Sequence, residues 1–301
     1  MKSYVYINSS SGAGYGSRYY KDYLKKLLKD NFDEIRIFNI PCEESEYNIP
    51  TQENKDDNTI FIVGGDGTVS MTVDKILKNS NFEDLNIPIC ICPFGSGNGL
   101  AKNLNIDPYN LQLDKIKKII SPMNTMYSGE NNLSFLSQTW GIISDIDINT
   151  EFLRIIGDLR YYYGIAQSII LPKYYKGKCK ITDLQDFTTE ITDNFLFFCA
   201  SNAPWISEDF KIAPLSDIYN KEIDILLIKK ELSFLERLKL IYYLSCGNIH
   251  TLDFVEYFKA KSYTLEINDN RSFIVSDGEK ILSNEVRSKI SDKKFLFYCN
   301  E

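Results

Sequence analysis

Histidine is almost absent from this sequence, with a single residue, His250, among 301. A Ser-His-Asp triad could use only this residue, and a histidine-rich metal site is excluded. His250 lies in a polar segment, where we expect a structural or surface role. Basic residues are also in the minority, with 34 Lys and Arg against 41 Asp and Glu and a net charge of −7. Such a chain has no general attraction for phosphate backbones, so we expect no nucleic-acid partner.

Cysteine pairs and long apolar runs are missing as well. The seven cysteines form no Cys-x-x-Cys motif, and several lie inside apolar runs, such as Cys90, Cys92 and Cys199. This usage predicts reduced thiols in a cytoplasmic protein. No apolar run reaches the roughly 18 residues that a transmembrane helix needs. The first residues also lack the apolar core of a signal peptide, so we expect no secretion signal.

The remaining composition is that of a globular protein, with 44% hydrophobic and 25% charged residues. The length favours two domains. The first part alternates strand-like and helix-like patterns, which predicts a parallel sheet covered by helices. Strands are expected at residues 3–8, 34–40, 59–63 and 87–92, and helices at residues 19–28 and 69–77. In such sheets, ligands bind beyond the carboxyl ends of the strands.

From about residue 121 the pattern changes to longer β-like runs with few helical stretches. The runs cover residues 133–143, 178–182, 195–202, 223–228, 262–267, 271–275 and 295–299, and the helical patterns cover 150–170 and 232–245. The fold class is therefore predicted to be α/β. We expect an N-terminal parallel-sheet domain over residues 1–121. A C-terminal, mainly antiparallel β-sandwich domain with flanking helices would cover residues 122–301.

A glycine-rich segment stands where the third expected strand meets a helix: Gly64-Gly65-Asp66-Gly67-Thr68. Glycines let the backbone approach a bulky anion and present its N–H groups, and the following helix adds its positive end. Asp66 would repel a phosphate, so its carboxylate is better explained as a base or a magnesium ligand. The alternative for this motif by itself is a tight turn in which the aspartate is a cap.

Two further glycine loops follow neighbouring expected strands. One is Pro93-Phe94-Gly95-Ser96-Gly97-Asn98, and the other is the Ser/Gly segment over residues 9–16. Parallel strands of one sheet would bring the three loops to one crevice, which predicts a phosphate site. None of the three fits G-x-G-x-x-G or the P-loop pattern G-x-x-x-x-G-K-[ST]. A dehydrogenase or an ordinary P-loop enzyme is therefore disfavoured.

These loops resemble those of the diacylglycerol kinase-like family of lipid kinases, which includes sphingosine, ceramide and diacylglycerol kinases. The marks of that family, GGDGT, P-x-GSGN and a carboxyl-terminal DGE, are matched by residues 64–68, 93–98 and 277–279. Within the family, residues 121–124 and 139–147, followed by Arg154, Gly157 and Arg160, look like the sphingosine kinase pattern. The resemblance spans residues 8–279. It implies that residues 1–121 are a nucleotide-binding domain and residues 122–301 a lipid-substrate domain whose DGE segment returns to the cleft between them. It also implies phosphoryl transfer from ATP, with Mg²⁺, to the primary hydroxyl of a sphingoid base.

The resemblance also implies roles for individual residues. Asp66 would be the general base, Glu279 the alternative base, and Asp147 the acid that recognises the amino-alcohol head group. Contacts with the lipid substrate are implied for Gly64, Gly65, Asp66 and Gly67 as well. ATP contacts are implied for a larger set: Asn8, Ser10, Ser11, Gly12, Gly14, Gly65, Gly67, Thr68, Gly95, Ser96, Gly97, Arg154, Arg160, Asp277, Gly278 and Glu279. Metal ligands are not assigned.

Several of these residues have competing explanations. In an extended segment, Asp145 and Asp147 would face the same side, but they could instead cap the next helix. Arg154 and Arg160 lie six residues apart and would converge only if a helix broke near Gly157. Each arginine could otherwise be a solvated surface charge.

The chain departs from the family pattern at several loop positions. Ser9 replaces a proline, Ala13 and Tyr15 replace lysines, and Met71 replaces a glutamate. Two alternatives therefore stay open: the acceptor is diacylglycerol or ceramide, or the chain binds nucleotide and lipid without turnover. The amphipathic segment 232–245 suggests reversible, peripheral contact of a cytoplasmic protein with a membrane surface. No protein partner is inferred.

Overall fold

The computed structural model describes residues 1–80, 82–113, 117–149, 159–269 and 271–300, with side chains at all of them except 13, 147–149 and 159–162. The chain forms two compact units, one of Met1–Pro122 with Ser291–Glu301 and one of Met123–Ile290. The sequence-based boundary at residues 121 and 122 differs from this division at the end of the chain. The final segment belongs to the first unit because its strand pairs there.

The first unit is built on a six-stranded sheet. Its strands are β1 (Lys2–Asn8), β2 (Glu34–Ile40), β3 (Thr59–Gly64), β4 (Ile89–Pro93), β5 (Lys117–Ile120) and the carboxyl-terminal strand β17 (Phe295–Tyr298), in the order β2-β1-β3-β4-β17-β5. The first four strands pair in parallel, as predicted. All six residues of β3 are buried, as expected of a parallel strand that is covered on both faces.

Helices cover this sheet. One continuous helical stretch consists of α1 (Tyr15–Tyr19), a π-helical turn (Tyr20–Leu24) and α2 (Lys25–Asn31), and two further helices are α3 (Asp66–Ser80) and α4 (Gly99–Asn103). The predicted helices are confirmed. Helix α3 begins three residues before the expected start, with the acid Asp66 in its first turn, where the helix dipole favours a negative charge. Its residues Val69, Val73 and Ile76 are fully buried on one face.

The second unit contains an antiparallel sheet of eleven strands among the described residues. They are β6 (Met123–Tyr127), β7 (Glu130–Ser134), β8 (Ser137–Gly141), β9 (Tyr175–Asp183), β10 (Thr188–Phe195), β11 (Phe197–Ser201), β12 (Ile223–Ile228), β13 (Glu256–Ile267), β14 (Ile274–Ser276), β15 (Glu279–Ile281) and β16 (Glu285–Ile290). The path β15-β14-β8-β11-β12-β13-β16-β6-β7 is extended by β9, which pairs with both β13 and β10. The predicted α/β class with an antiparallel C-terminal part is confirmed.

This antiparallel sheet curls over its own inner face. Gln138 of β8 is hydrogen-bonded to Thr125 of β6 and Tyr263 of β13, although β8 is adjacent to neither strand in the sheet. Ser288 of β16 also donates to Gln138 Oε1, at 3.0 Å. The sandwich that the sequence predicts is therefore formed by one curled sheet. Trp140 is fully buried in the apolar core between its faces.

Three helices accompany the curled sheet: α5 (Ile142–Asn149), α6 (Leu159–Ile170) and α7 (Phe234–Ser245). Helix α5 corrects the expectation that residues 133–143 are one strand and that Asp145 and Asp147 lie in an extended segment. Helix α7 starts with a capping box formed by Ser233 and Glu236. None of the described helices has the length and apolar character of a transmembrane span.

Candidate functional site

Three glycine-containing loops follow the carboxyl ends of β1, β3 and β4, which are neighbours in the order β1-β3-β4. The structure brings these loops into contact, as predicted. Asn8, the last residue of β1, donates from Nδ2 to Oγ1 of Thr68 at 2.9 Å. This bond joins the first loop to the first turn of α3. In return, Asn8 Oδ1 accepts the backbone N–H of Ser10 at 3.1 Å and shapes the start of the first loop.

Glycine is required at the two closest approaches between loops. A Cβ atom on Gly12, whose φ is +54°, would overlap the carbonyl oxygen of Phe94. A Cβ atom on Gly95 would overlap the Cα atom of Gly65. Any side chain at these positions would force the loops apart. The result is a surface of bare backbone, which suits close contact with an anion.

Asp66 is held at the centre of this arrangement. Its Oδ2 accepts the backbone N–H of Gly99 at 3.0 Å, and its Oδ1 accepts that of Leu100 at 2.8 Å. The half-buried carboxylate therefore caps α4 and ties the second loop to the third.

The third loop is closed by its own asparagine. Asn98 has a φ of +52°, and its Oδ1 accepts the backbone N–H of Gly95 at 2.8 Å. Its Nδ2 donates to the carbonyl of Gly95 at 3.1 Å. Ser96, at the tip, is exposed. The loop thus keeps its shape through a ring of bonds to Gly95 and presents its tip to solvent.

Arg18 is a candidate that the motif analysis did not single out. Its guanidinium lies 5.8 Å from the centroid of the Tyr15 ring, and both side chains are exposed just after the first loop. Tyr15 occupies a position where the family pattern has a lysine. Arg18 supplies a cation one turn away, at i+3 on the helix. The scarcity of arginine, with only seven in the chain, is the signal that could have drawn attention to it.

The DGE segment lies in the second unit, where its aspartate has a structural role. Asp277 and Gly278 have φ values of +48° and +84° and form the two-residue turn between β14 and β15. The buried carboxylate of Asp277 accepts the backbone N–H groups of residues 135, 136 and 137 at 2.8–3.1 Å, and the hydroxyl of Ser134 at 2.9 Å. Four donors thus fix the connection between β7 and β8. Glu279 is exposed on β15.

The remaining residues implied in ATP contact, Arg154 and Arg160, and in head-group recognition, Asp147, are described only in part. Arg154 lies outside the described residues, as do the side chains of Asp147 in α5 and Arg160 in α6. Asp145 of α5 accepts a hydrogen bond from the Tyr175 hydroxyl at 2.6 Å. Burial raises the pKa of Asp145, and this hydrogen bond partly opposes the rise. The bond between Tyr175 and Asp145 attaches α5 to β9.

Metal ligands were left unassigned by the sequence. Within the described ranges, no group of three or more His, Cys, Asp and Glu side chains is arranged to hold a metal ion. Asp66 is the one carboxylate within the three loops at residues 9–16, 64–68 and 93–98.

Comparisons with known proteins agree with the loop architecture. Residues 2–127 match the family described as diacylglycerol kinase catalytic domain. Sphingosine kinase 1 of Arabidopsis thaliana is 24% identical, over 99% of this chain and 72% of its own length. Sphingosine kinase 1 of Homo sapiens is 26% identical, over 58% of this chain and 50% of its own length.

Solved structures show the same fold. A crystal structure of a diacylglycerol kinase from Bacillus anthracis superposes with a TM-score of 0.66 at 15% identity, covering 99% of this chain and 97% of that one. A second structure from that organism gives a TM-score of 0.73 at 16% identity, covering 99% and 95%. Residues 2–127 therefore match the diacylglycerol kinase catalytic domain, in a chain that is distantly homologous over nearly its whole length to plant sphingosine kinases.

Proposed function

We propose that this chain transfers the γ-phosphate of ATP to the primary hydroxyl of a sphingoid base, which converts sphingosine to sphingosine 1-phosphate. The observation that carries the proposal is the contact of three glycine loops around Asp66, whose carboxylate is held by two backbone N–H groups. The names of the plant and human relatives support the choice of a sphingoid base as the acceptor.

ATP fits the loops because they offer backbone surface without side chains. Gly12 and Gly95 pack too closely for any larger residue, and a Cβ atom on Gly65 would lie only 3.0 Å from the Cα atom of Gly95. The 15-residue helix α3 begins at the second loop and adds the positive end of its dipole. Bound ATP would supply the phosphorus that the acceptor hydroxyl attacks. Its contacts are proposed to include Asn8, Ser10, Ser11, Gly12, Gly14, Gly65, Gly67, Thr68, Gly95, Ser96 and Gly97, with Arg18 as the added cation.

Mg²⁺ is compatible with this donor set. The ion usually keeps several waters and binds one or two carboxylates together with substrate phosphates, so it needs no dedicated cluster of acids. A bound Mg²⁺ would neutralise charge on the transferring phosphate. We assign Asp66 to proton transfer, so the phosphates and water would supply most of the metal ligands.

In the proposed reaction, Asp66 accepts the proton of the primary hydroxyl while the oxygen bonds to the γ-phosphorus and ADP departs. The two backbone donors fix the direction of the carboxylate. Glu279 remains the alternative base. Asp277, by contrast, is proposed to act through the fold, because its oxygens already accept four hydrogen bonds.

The acceptor would be recognised through its charge. A sphingoid base carries an ammonium group next to the reacting hydroxyl, whereas ceramide and diacylglycerol do not. We assign recognition of this ammonium group to Asp147 on α5.

The change Asp147→Asn tests this assignment. We expect the KM for sphingosine to rise about tenfold or more, because the variant loses a charge-assisted interaction, while the KM for ATP stays the same. Steady-state kinetics with both substrates measures the two effects. Ceramide and diacylglycerol are the control acceptors. If transfer to one of them dominates and is unaffected by the change, the acceptor is an uncharged lipid and the assignment is wrong.

A face of α7 is suited to membrane contact. Leu235 and Tyr242 are 75% and 64% exposed, and Phe234 and Leu238 are exposed beside them. Lys239 on the same helix is also exposed. An exposed apolar face with a basic neighbour is typical of a helix that lies on an anionic lipid surface. We propose that α7 gives the cytoplasmic protein a reversible contact with the membrane that contains its substrate.

The paired change Leu235→Ser and Tyr242→Ser tests the contact. We expect at least a threefold fall in the fraction bound to vesicles of phosphatidylcholine and phosphatidylserine, because apolar area at the lipid interface is lost. Co-sedimentation measures the bound fraction. Leu282→Ser is the matched control, since Leu282 is 81% exposed but lies outside α7. Equal binding of both variants and the parent chain would contradict the proposal.

A further inference from the structure

The outer face of the antiparallel sheet contains a groove of about 320 Å³ that the kinase reaction does not use. It lies entirely within the second unit, on strands β6, β7, β9, β13 and β16. Short polar side chains and long basic ones line it, together with Met126 and Tyr263. The six that matter here are Lys180, Thr182, Ser262, Thr264, Arg287 and Lys289.

The strand register explains why the groove exists. Thr264 on β13 is paired with Lys180 on one side and Arg287 on the other. With strands about 4.8 Å apart, the Cα atoms of Lys180 and Arg287 lie about 10 Å from each other, with a short side chain between them. In the next row, Ser262 lies between Thr182 and Lys289. The rows are about 7 Å apart along the strands. Short residues flanked by long ones leave a hollow.

The groove is basic in a chain whose net charge is −7. None of the described residues that line it is acidic. Lys180 and Lys289 are exposed, and neither has an ion-pair partner within the described part of the chain. Glu190 is opposite Lys180 in the register, but its carboxylate lies 3.1 Å from Nζ of Lys178.

Arg287 is the third cation of the groove. Its Nε is paired with Glu285, which leaves its other guanidinium N–H groups as further donors on the same fork. A guanidinium anchored in this way keeps a fixed orientation, whereas the two lysines move with their flexible stems. The groove thus combines one oriented cation with two mobile ones.

We propose that this groove binds a small molecule with two or more phosphate groups, either free or as the headgroup of a lipid. Lysine, arginine and hydroxyl side chains are the usual donors to phosphate oxygens. Three cations whose backbone positions lie about 7 to 10 Å apart match several phosphates on one scaffold better than a single phosphate. The volume is at the lower end of that found for ligand sites. This inference is independent of the proposed kinase reaction.

Two probes distinguish the two sources of the ligand. Inositol 1,4,5-trisphosphate represents the free form, and phosphatidylcholine vesicles containing phosphatidylinositol 4,5-bisphosphate represent the lipid. We expect the full chain to bind one or both at about 0.15 M salt, measured by calorimetry and co-sedimentation. The paired change Lys180→Gln and Lys289→Gln should weaken binding at least tenfold.

The control is the pair Lys25→Gln and Lys26→Gln, which makes the same change in net charge on exposed residues of α2. It should leave binding within about twofold. Thr264→Val, which removes a hydroxyl from the groove without changing the charge, should weaken binding threefold or more, and thermal unfolding checks that each variant is folded. Binding of either probe that is lost in the groove variants supports the proposal and identifies the source. Equal binding by groove and control pairs, or no binding of either probe, overturns it.

Discussion

Two aspartates illustrate what single residues do in this protein. Asp66 caps α4 through the amides of Gly99 and Leu100, so the residue proposed as the base also joins two loops of the site. The same motif was open to a purely structural explanation, that of a capping turn. The structure shows the cap, and the reaction proposed here requires the same carboxylate to accept a proton. Asp277, in contrast, is buried with four donors and is assigned to the fold.

The change Asp277→Ala tests that assignment. We expect the free energy of unfolding to fall by about 3 kcal/mol or more, because three buried backbone N–H groups and one hydroxyl lose their acceptor. Chemical denaturation measures the fall. Asp193→Ala is the control, since Asp193 is exposed on β10. A variant that unfolds like the parent chain but has a raised KM for ATP would show that Asp277 is a nucleotide contact instead.

At the scale of elements, a hydrogen bond between Tyr175 and Asp145 attaches helix α5 to β9. Tyr175 donates to Asp145 at 2.6 Å, in a place where burial raises the pKa of the carboxyl above its ordinary 3.8. An acid whose pKa is raised on folding binds its proton more tightly in the folded state. Its cost to stability is absent below pH 3.8 and grows as pH rises through the folded pKa. Burial of the Asp145 carboxyl therefore makes this part of the fold less stable at neutral pH than in mild acid, and the bond from Tyr175 reduces that cost.

The change Asp145→Asn should remove this pH dependence. We expect the unfolding free energy of the variant minus that of the parent to increase as pH rises from about 3.8 and then to level off. Denaturation at a series of pH values measures it. Tyr175→Phe is the companion variant: without the bond that opposes the pKa rise, its loss of stability should continue to higher pH. A difference that is constant across the series contradicts the account.

Local patterns predicted some elements well and failed for others. The apolar runs of β1 to β4 identified the parallel sheet, because strands covered on both faces need such residues. Strand β10 was missed because its sequence is polar and only Ile191 and Phe195 are buried. It pairs with β9 over eight residues, a tertiary contact that its local sequence does not indicate. The turn that splits residues 133–143 was missed because Asp277, about 140 residues away, holds it.

At the scale of the whole molecule, the glycine-loop motifs predicted more than the patterns of apolar residues did. The three loops could be placed together from the sequence, since parallel strands order their carboxyl ends along one edge. The cap that Asp66 provides for α4 could not be predicted from the sequence, because it depends on how the second and third loops pack. The return of β17 to the first sheet was also not predicted, since a short apolar strand carries no signal of its partner. Similarity to the Arabidopsis enzyme extends over both units.

The central claim is transfer of phosphate from ATP to a sphingoid base with Asp66 as the base. The most direct measurement is a radiolabelled ATP assay of the purified chain with Mg²⁺ and three acceptors: sphingosine, ceramide and diacylglycerol. The same assay is run on Asp66→Asn and on the control Asp74→Asn, whose aspartate pairs with Lys78 on the same helix. We predict a phosphorylated product from sphingosine, lost about a hundredfold or more in Asp66→Asn and retained in Asp74→Asn. Product from another acceptor alone, or undiminished transfer by Asp66→Asn, would contradict the claim.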